Sequence, residues 1–104
     1  MNTVYALIWR TPDETFKQEE FDIRIPRLME WLKYLKSNGH LLACGGGGFE
    51  TESGGLTIIS ADSLEHAEKL SSMSPMNEIG KTEIFIWDTF YSNYIFLEHK
   101  DKIS

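Results

Sequence analysis

The sequence TVYALIW, residues 3–9, gives the strongest indication of the fold. Successive side chains of a β-strand point to opposite faces of its sheet. The two faces of this stretch carry, in turn, Val4, Ala6 and Ile8, and then Tyr5, Leu7 and Trp9. Because both sets are apolar, the stretch predicts a strand that is covered on both sides and lies in the centre of its sheet.

An amphipathic helix is predicted after this strand and a polar loop at residues 11–21. Four apolar side chains recur at the i, i+3, i+4 and i+7 spacing of one helix face: Leu28, Trp31, Leu32 and Leu35. Pro26 suits the first turn of such a helix, and Gly39 suits the position just beyond its end. We therefore expect this helix to lie on the core.

A glycine-rich hairpin is predicted next, between short strands at residues 40–44 and 56–60. Glycines occupy positions 45–48, 54 and 55, with a polar stretch between the two groups. This composition predicts a hairpin with a long, flexible tip. A phosphate-binding loop is disfavoured, because the glycine run has no Lys-Ser/Thr after it and does not lead into a helix.

A second helix and a last strand complete the predicted elements. Asp62 is a suitable N-cap, with Glu65 three residues later as in a capping box. Ser74-Pro75 ends this helix, because the residue before a proline is driven away from α-helical geometry. Residues 82–89 place bulky side chains alternately on two faces, and this pattern predicts the fourth strand.

The order strand, helix, strand, strand, helix, strand predicts an α+β fold, the ferredoxin-like βαββαβ sandwich. Right-handed crossovers place both helices on one face of an antiparallel four-stranded sheet. The 104 residues predict one domain at 1–104, with a core at 3–88 and an aromatic C-terminal extension at 89–104.

The sheet face without helices is also predicted to be apolar. We expect the helices to cover Val4, Ala6, Ile8, Ile84 and Ile86. The open face would then carry Tyr5, Leu7, Trp9, Phe85 and Trp87. Burying such side chains stabilises by about 1.5–3 kcal/mol each, so we expect two sheets to pack face to face in a homodimer. The alternative is that the tail folds back over this face.

Bulk composition excludes several classes of function. The net charge of −6, from 16 acidic and 10 basic residues, disfavours nucleic-acid binding. No apolar run approaches the roughly 20 residues of a membrane span, so we expect no membrane partner and a cytoplasmic location. Cys44 is the single cysteine and is expected to be a small core residue of its strand. Three scattered histidines predict no metal site, and we expect no cofactor.

Several segments resemble the YCII-related family. The similar stretches are RIPRLMEWL at 24–32, GHLLACGG at 39–46, GGLTI at 54–58 and DSLEHA at 62–67, followed by Ser74-Pro75 and Ile79-Gly80. The resemblance covers roughly residues 3–88. It implies a dimeric α/β barrel, a group of folds that includes muconolactone isomerases and cofactor-independent monooxygenases.

The chain departs from that family at two positions. Many members place a His in the first helix and an Asp before the proline that follows the second, where this chain has Arg27 and Ser74. A His–Asp pair suits acid–base chemistry, but guanidinium stays protonated and an unassisted hydroxyl is a poor base. Arg and Ser can instead hold an anion through charge-assisted hydrogen bonds.

The predicted site is therefore a pocket for a small anionic or aromatic molecule. Arg24 and Arg27 would supply positive charge, Ser74 a hydrogen bond, and Trp9 and Trp87 apolar walls. One alternative is a metal-independent enzyme of isomerase, lyase or monooxygenase type, with Tyr5 or His40 as its acid–base group. Another is a structural or interaction module whose aromatic tail, residues 90–96, docks on another chain.

Overall fold

A computed structural model describes residues 3–92 and shows an α+β fold. The elements in chain order are β1 (Thr3–Pro12), α1 (Gln18–Asp22), α2 (Ile25–Ser37), β2 (Leu41–Phe49), β3 (Glu52–Ala61), α3 (Leu64–Ser72), a 3₁₀ helix (Pro75–Glu78) and β4 (Lys81–Ile86). The predicted α+β class is confirmed. The aromatic C-terminal extension predicted at residues 89–104 lies, beyond Ser92, outside the described residues.

The four strands form one antiparallel sheet in the order β2-β3-β1-β4. This order is consistent with a ferredoxin-like fold. Strand β1 pairs with both β3 and β4, so its predicted central position is confirmed. The main core lies between one sheet face and the helices α2 and α3, where Leu35, Ile59 and Ala67 are fully buried.

The two faces of β1 are the reverse of the prediction. Tyr5 and Leu7 pack under the helices, whereas Val4 packs with Ile58 in a separate cluster on the open face. Because both faces of β1 are apolar, the sequence pattern shows that side chains alternate but not which face the helices cover. The indole of Trp9 indicates one reason for the outcome, because its buried N–H needs an acceptor and finds the Met76 carbonyl on the helix side.

The faces predicted for β4 agree with the structure at Ile84 and Phe85. Ile84 packs against the main core. Phe85 lies opposite Ala6 in the β1–β4 register and therefore shares the open face with it. The strand ends at Ile86 rather than at residue 89, although the Trp87 backbone N–H still donates to the Val4 carbonyl, at 2.9 Å.

Helix α2 confirms the predicted amphipathic helix and its end. Trp31 and Leu35 are buried, and Pro26 lies in the first turn. Gly39 has a φ of 75°, the left-handed conformation that favours glycine. The His40 N–H donates to the Leu35 carbonyl and the Gly39 N–H to the Lys36 carbonyl, as in a Schellman motif.

Two local predictions are wrong. Residues 11–21 are not all loop, since β1 continues to Pro12 and α1 follows at Gln18–Asp22. The cap of α3 is Ser63, whose side chain accepts from the His66 N–H at 3.1 Å, rather than Asp62. Each error is local, because a short polar stretch offers several caps and no apolar stripe to choose among them.

The hairpin is longer and its tip shorter than predicted. Strands β2 and β3 pair through the glycines up to Phe49 and Glu52, so only Glu50 and Thr51 lie between them. The glycine run is therefore strand, not a flexible tip. Cys44, predicted to be a core residue, is exposed on this hairpin.

Candidate functional site

A pocket of about 310 Å³ lies between the helix-covered face of the sheet, α2 and the 3₁₀ helix. It is lined by Leu7, Trp9, Phe21, Leu28, Met29, Trp31, Leu32, Cys44, Gly45, Gly46, Gly54, Gly55, Thr57, Ser71, Ser74, Met76 and Thr82. Within residues 3–92, this lining contains no Asp, Glu, Lys, Arg or His. The pocket is therefore an apolar site with a few hydroxyl groups, the usual composition of a small-molecule site.

One wall of the pocket is made of glycine backbone, and we call Gly45, Gly46, Gly54 and Gly55 the glycine wall. Gly46 pairs with Gly55 in the β2–β3 register, and Gly55 pairs with Trp9. Since opposite residues share a face, a side chain at position 46 would enter the pocket. A Cβ built at Gly46 has no neighbouring atom within 4 Å.

A second wall is fixed by hydrogen bonds, and we call Trp9, Trp31, Ser74 and Met76 the hydrogen-bonded wall. The Trp9 indole N–H donates to the Met76 carbonyl at 2.8 Å, and the Trp31 indole N–H donates to the Leu70 carbonyl at 3.0 Å. Both indole donors are thus satisfied within the chain. The two rings offer the pocket only their apolar surfaces.

Ser74 contributes a polar group to this second wall. Its hydroxyl oxygen accepts a hydrogen bond from the Met76 N–H at 3.2 Å and caps the 3₁₀ helix. A hydroxyl has one hydrogen to donate in addition to its acceptor lone pairs. Accepting from Met76 therefore leaves the Ser74 hydrogen available to a molecule in the pocket.

Arg24 and Arg27 lie outside the pocket lining and pair with Glu78. The Arg27 guanidinium donates to both Glu78 carboxylate oxygens, at 2.6 and 3.2 Å, and Arg24 Nε donates to one of them at 3.0 Å. Arg24 also donates to the Glu20 carboxylate at 3.2 Å. Two cations thus face two carboxylates, which leaves no net positive charge in this cluster.

The ion pairs shift two pKa values. Hydrogen bonds from Arg27 and then Arg24 hold the pKa of Glu78 below its ordinary value, because they favour the carboxylate. The same hydrogen bond with Glu78 raises the pKa of Arg27. The cluster connects the start of α2 to the 3₁₀ helix, two elements that also line the pocket.

The open face carries a second, broader groove of about 690 Å³. Trp87, Leu56 and Ile58 line it together with the backbone of glycines 45–48 and 55. At one end of this face, Arg10 pairs with Glu83 and lies 5.9 Å from the centre of the Phe49 ring. Cys44 lines both this groove and the pocket, since the glycine hairpin separates the two.

The structure brings together two of the five predicted ligand-binding residues. Trp9 and Ser74 line the same pocket, whereas Trp87 lies in the groove on the opposite sheet face. Arg24 and Arg27 form the ion cluster instead of lining either cavity. Of the predicted set, one tryptophan and the serine thus line this pocket, and both arginines lie outside its lining.

The acid–base residues of the enzyme alternative are also outside the pocket lining. Tyr5 is buried in the main core. His40 Nδ1 lies 3.0 Å from the Ser60 carbonyl, and its ring contacts that of His66 edge to face, with 5.0 Å between ring centres. Neither side chain therefore faces a molecule bound beside Ser74.

Several pocket residues were not singled out from the sequence. Phe21 and Met29 come from α1 and α2, and Met76 comes from the 3₁₀ helix. Phe21 lies in a stretch predicted to be loop, and Met29 lies outside the apolar stripe of its helix. The glycine run was the one available signal, because glycine inside a strand marks a place where another group approaches the backbone.

The part of the chain that the structure describes contains neither a cluster of metal ligands nor a helix able to span a membrane. Within residues 3–92, no three His, Cys, Asp or Glu side chains are grouped closely enough to hold a metal ion. In the same part of the chain, no helix has both the length and the apolar character needed to cross a bilayer.

The fold and the pocket define a small α+β domain with a ferredoxin-like sheet and an apolar site beneath its helices. The model of the YCII-related domain matches residues 4–88, and the chain belongs to this family. No curated protein matches the chain. A solved structure, the de novo designed protein Foldit4, is similar with 17% identity and a TM-score of 0.53 over 86% of this chain and 99% of that one. At this identity the similarity concerns the fold alone.

Proposed function

We propose that this YCII-related protein binds a small, predominantly apolar molecule in the pocket beneath α2. The observation that carries the proposal is the lining, which within residues 3–92 combines apolar side chains, glycine backbone and hydroxyl groups without a charged side chain. An apolar pocket of this kind favours molecules that lose little hydration on entering it. Of the two predicted ligand classes, the aromatic one therefore has more support than the anionic one.

The anionic alternative requires a rearrangement of the ion cluster. A ligand carboxylate would have to displace Glu78 from Arg24 and Arg27, which now hold it by three hydrogen bonds. This alternative predicts that Arg27→Ala abolishes binding without lowering the melting temperature. Binding in the apolar pocket predicts instead that Arg27→Ala leaves affinity unchanged.

The three tryptophans provide a direct test of the proposed site. Trp9 and Trp31 line the pocket, and Trp87 lines the groove on the other face. Their indole N–H signals can be followed by ¹⁵N NMR and assigned with single Trp→Phe variants. We expect a set of uncharged aromatic fragments to move the Trp9 and Trp31 signals and not the Trp87 signal. Fragments that move only Trp87, or none of the three, would contradict the proposal.

We also propose that a second copy of the chain covers the open face. Leu56, Phe85 and Trp87 are 43%, 47% and 38% exposed, a large apolar surface for one small domain. Arg10 and Glu83 lie together at one end of this face, so each copy would present both charges to the other. Light scattering should give a mass near twice 12.0 kDa, and Phe85→Lys should reduce it to one chain. A monomeric wild-type protein would refute the dimer.

A further inference from the structure

The glycines of the hairpin fall into two groups with different physical causes. A Cβ at Gly54 would overlap the Phe49 ring and lie 2.6 Å from the Trp9 carbonyl oxygen, so packing requires glycine there. At Gly45, Gly46 and Gly47, an added Cβ meets no atom within 4 Å. None of these residues has a positive φ, since Gly39 is the one glycine with that conformation among residues 3–92.

Neither packing nor backbone conformation within the chain therefore requires glycine at Gly46. Glycine inside a strand lowers stability, because it adds conformational entropy to the unfolded chain and contributes no side chain to packing. A strand glycine of this kind marks a place where a ligand or another backbone comes close. Gly46 faces the pocket, so the group that approaches it would be a bound molecule.

From these observations, and resting on the proposed function, we infer the class of ligand: a flat, uncharged, two-ring aromatic molecule with at least one hydrogen-bond acceptor. The side-chain-free strip formed by Gly46 and Gly55 admits a ring face directly against the peptide backbone. Across the pocket, Leu28, Leu32 and Trp31 provide the second apolar surface. The strip makes Gly46 the residue that determines how thick a ligand can be.

The volume of the pocket sets the size of the ligand. An engineered apolar cavity of about 150 Å³ holds one benzene ring. The pocket here measures about 310 Å³, roughly twice that value, and so has room for two fused rings. One ring would leave half of the space without contacts.

The hydrogen-bonding groups set the polarity of the ligand. Both indole N–H groups are already donated to backbone carbonyls, and Thr82 donates its hydroxyl hydrogen to the Asn77 side chain at 2.6 Å. The Ser74 hydroxyl retains a hydrogen to donate while its oxygen accepts from the Met76 N–H. A ligand with a carbonyl or ring-nitrogen acceptor would complete this bond.

The test uses coumarin, an uncharged two-ring molecule with a carbonyl, and three matched compounds. Naphthalene has two rings and no acceptor, acetophenone has one ring and a carbonyl, and coumarin-3-carboxylate adds a negative charge. Affinities for the full chain would be measured by titration of the Trp9 and Trp31 NMR signals. We expect coumarin to bind most tightly and the carboxylate to bind at least tenfold more weakly.

Two pairs of variants separate the site from general effects on folding. Gly46→Val should weaken coumarin binding at least tenfold, whereas Gly47→Val, which by strand parity faces the other side of the sheet, should change it less than twofold. Ser74→Ala should weaken coumarin binding about fivefold, as expected for one lost hydrogen bond. The same variant should leave naphthalene affinity within twofold, whereas a structural defect would reduce both.

Three outcomes would overturn the inference. Equal effects of Gly46→Val and Gly47→Val would remove the glycine strip from the site. Tighter binding of acetophenone or of the carboxylate would refute the ligand class while leaving a small-molecule pocket in place. If none of the four compounds moves the Trp9 and Trp31 signals but the broader fragment set moves them, only the inferred ligand class is wrong. If neither the four compounds nor the fragments move these signals, the proposed function fails as well.

Discussion

The two walls of the pocket are built in opposite ways. The side chains of the hydrogen-bonded wall are held in one orientation by hydrogen bonds, such as the bond from Trp9 to the Met76 carbonyl. The glycine wall keeps a full ladder of backbone pairing but places no side chain in the pocket at Gly46. One wall therefore fixes the shape of the site, and the other leaves room in it. Substitutions in or beside the hydrogen-bonded wall and substitutions at Gly46 should have effects that differ in size and in sign.

The largest effect is expected at Gly80, directly behind the hydrogen-bonded wall. A Cβ at this position would overlap the Trp9 indole and lie 2.8 Å from the Arg10 carbonyl oxygen. Because the backbone oxygen cannot move without breaking the sheet, Gly80→Ala should lower the free energy of unfolding by about 3 kcal/mol. Urea denaturation monitored by tryptophan fluorescence measures this loss. A loss below about 0.5 kcal/mol would mean that this wall is loosely packed.

Trp9→Phe should have the next largest effect. The variant removes the indole N–H that donates to the Met76 carbonyl and leaves part of the buried ring volume empty. A lost buried hydrogen bond and a small cavity together cost about 2 kcal/mol. Trp87→Phe, on the open face, is the matched control in the same denaturation experiment. Equal losses in the two variants would show that the bond to Met76 contributes little.

Gly46→Ala should have a small effect of the opposite sign. The methyl group meets no atom within 4 Å and the backbone conformation suits alanine, so the unfolded chain loses entropy at no cost to the native state. We expect the free energy of unfolding to rise by about 0.5 kcal/mol. Gly54→Ala is the control, and it should be destabilising because its methyl group meets the Phe49 ring and the Trp9 carbonyl. A destabilised Gly46→Ala would break the distinction between Gly46 and the closely packed positions, Gly54 in the same wall and Gly80 behind the other.

The smallest effect is expected from the ion cluster beside the hydrogen-bonded wall. The pKa of Glu78 is lower in the folded protein than its ordinary value of 4.5, so the folded state favours the carboxylate. This contribution to stability is complete above about pH 4.5 and is lost as the pH falls through the lowered folded-state pKa. It should be small, because the Arg27 and Glu78 side chains are exposed and screened by solvent.

Denaturation of wild type and Glu78→Gln between pH 7 and pH 3 measures the contribution of the Glu78 carboxylate to stability. The difference in stability between the two proteins should shrink as the pH falls. If this difference in stability stayed constant over the whole pH range, ionisation of Glu78 would not be its cause. A difference that grows toward low pH would contradict the direction of the pKa shift.

Much of the fold could be predicted because its signals are local. The spacing of Leu28, Trp31, Leu32 and Leu35 indicates a helix wherever the chain is placed, and Gly39 ends it through its own backbone preference. The order of strands and helices then restricts the sheet to few arrangements. The hairpin was harder, because a glycine run is compatible both with a loop and with a ladder whose stability comes from the neighbouring strand.

The candidate site was less predictable because its parts meet through contacts distant in sequence. Trp9 and Ser74 were identified and do share the pocket, although 65 positions separate them. Arg24 and Arg27 were assigned to the ligand, since the sequence does not show that Glu78, more than 50 residues later, lies beside both. Phe21, Met29 and Met76 carry no pattern that distinguishes a pocket residue from an ordinary core residue.

The α+β class, the central position of β1, the place and end of α2 and the resemblance to the YCII-related family could all be read from the sequence. These features follow from period, capping and element order, which act over a few residues at a time. The orientation of Tyr5, Leu7 and Trp9 toward the helices depends on tertiary packing, because both sides of β1 are apolar and strand periodicity is the same whichever side is covered. The difference between the glycines also depends on tertiary structure, since the close packing at Gly54 and the open space at Gly46 are set by atoms from other parts of the chain.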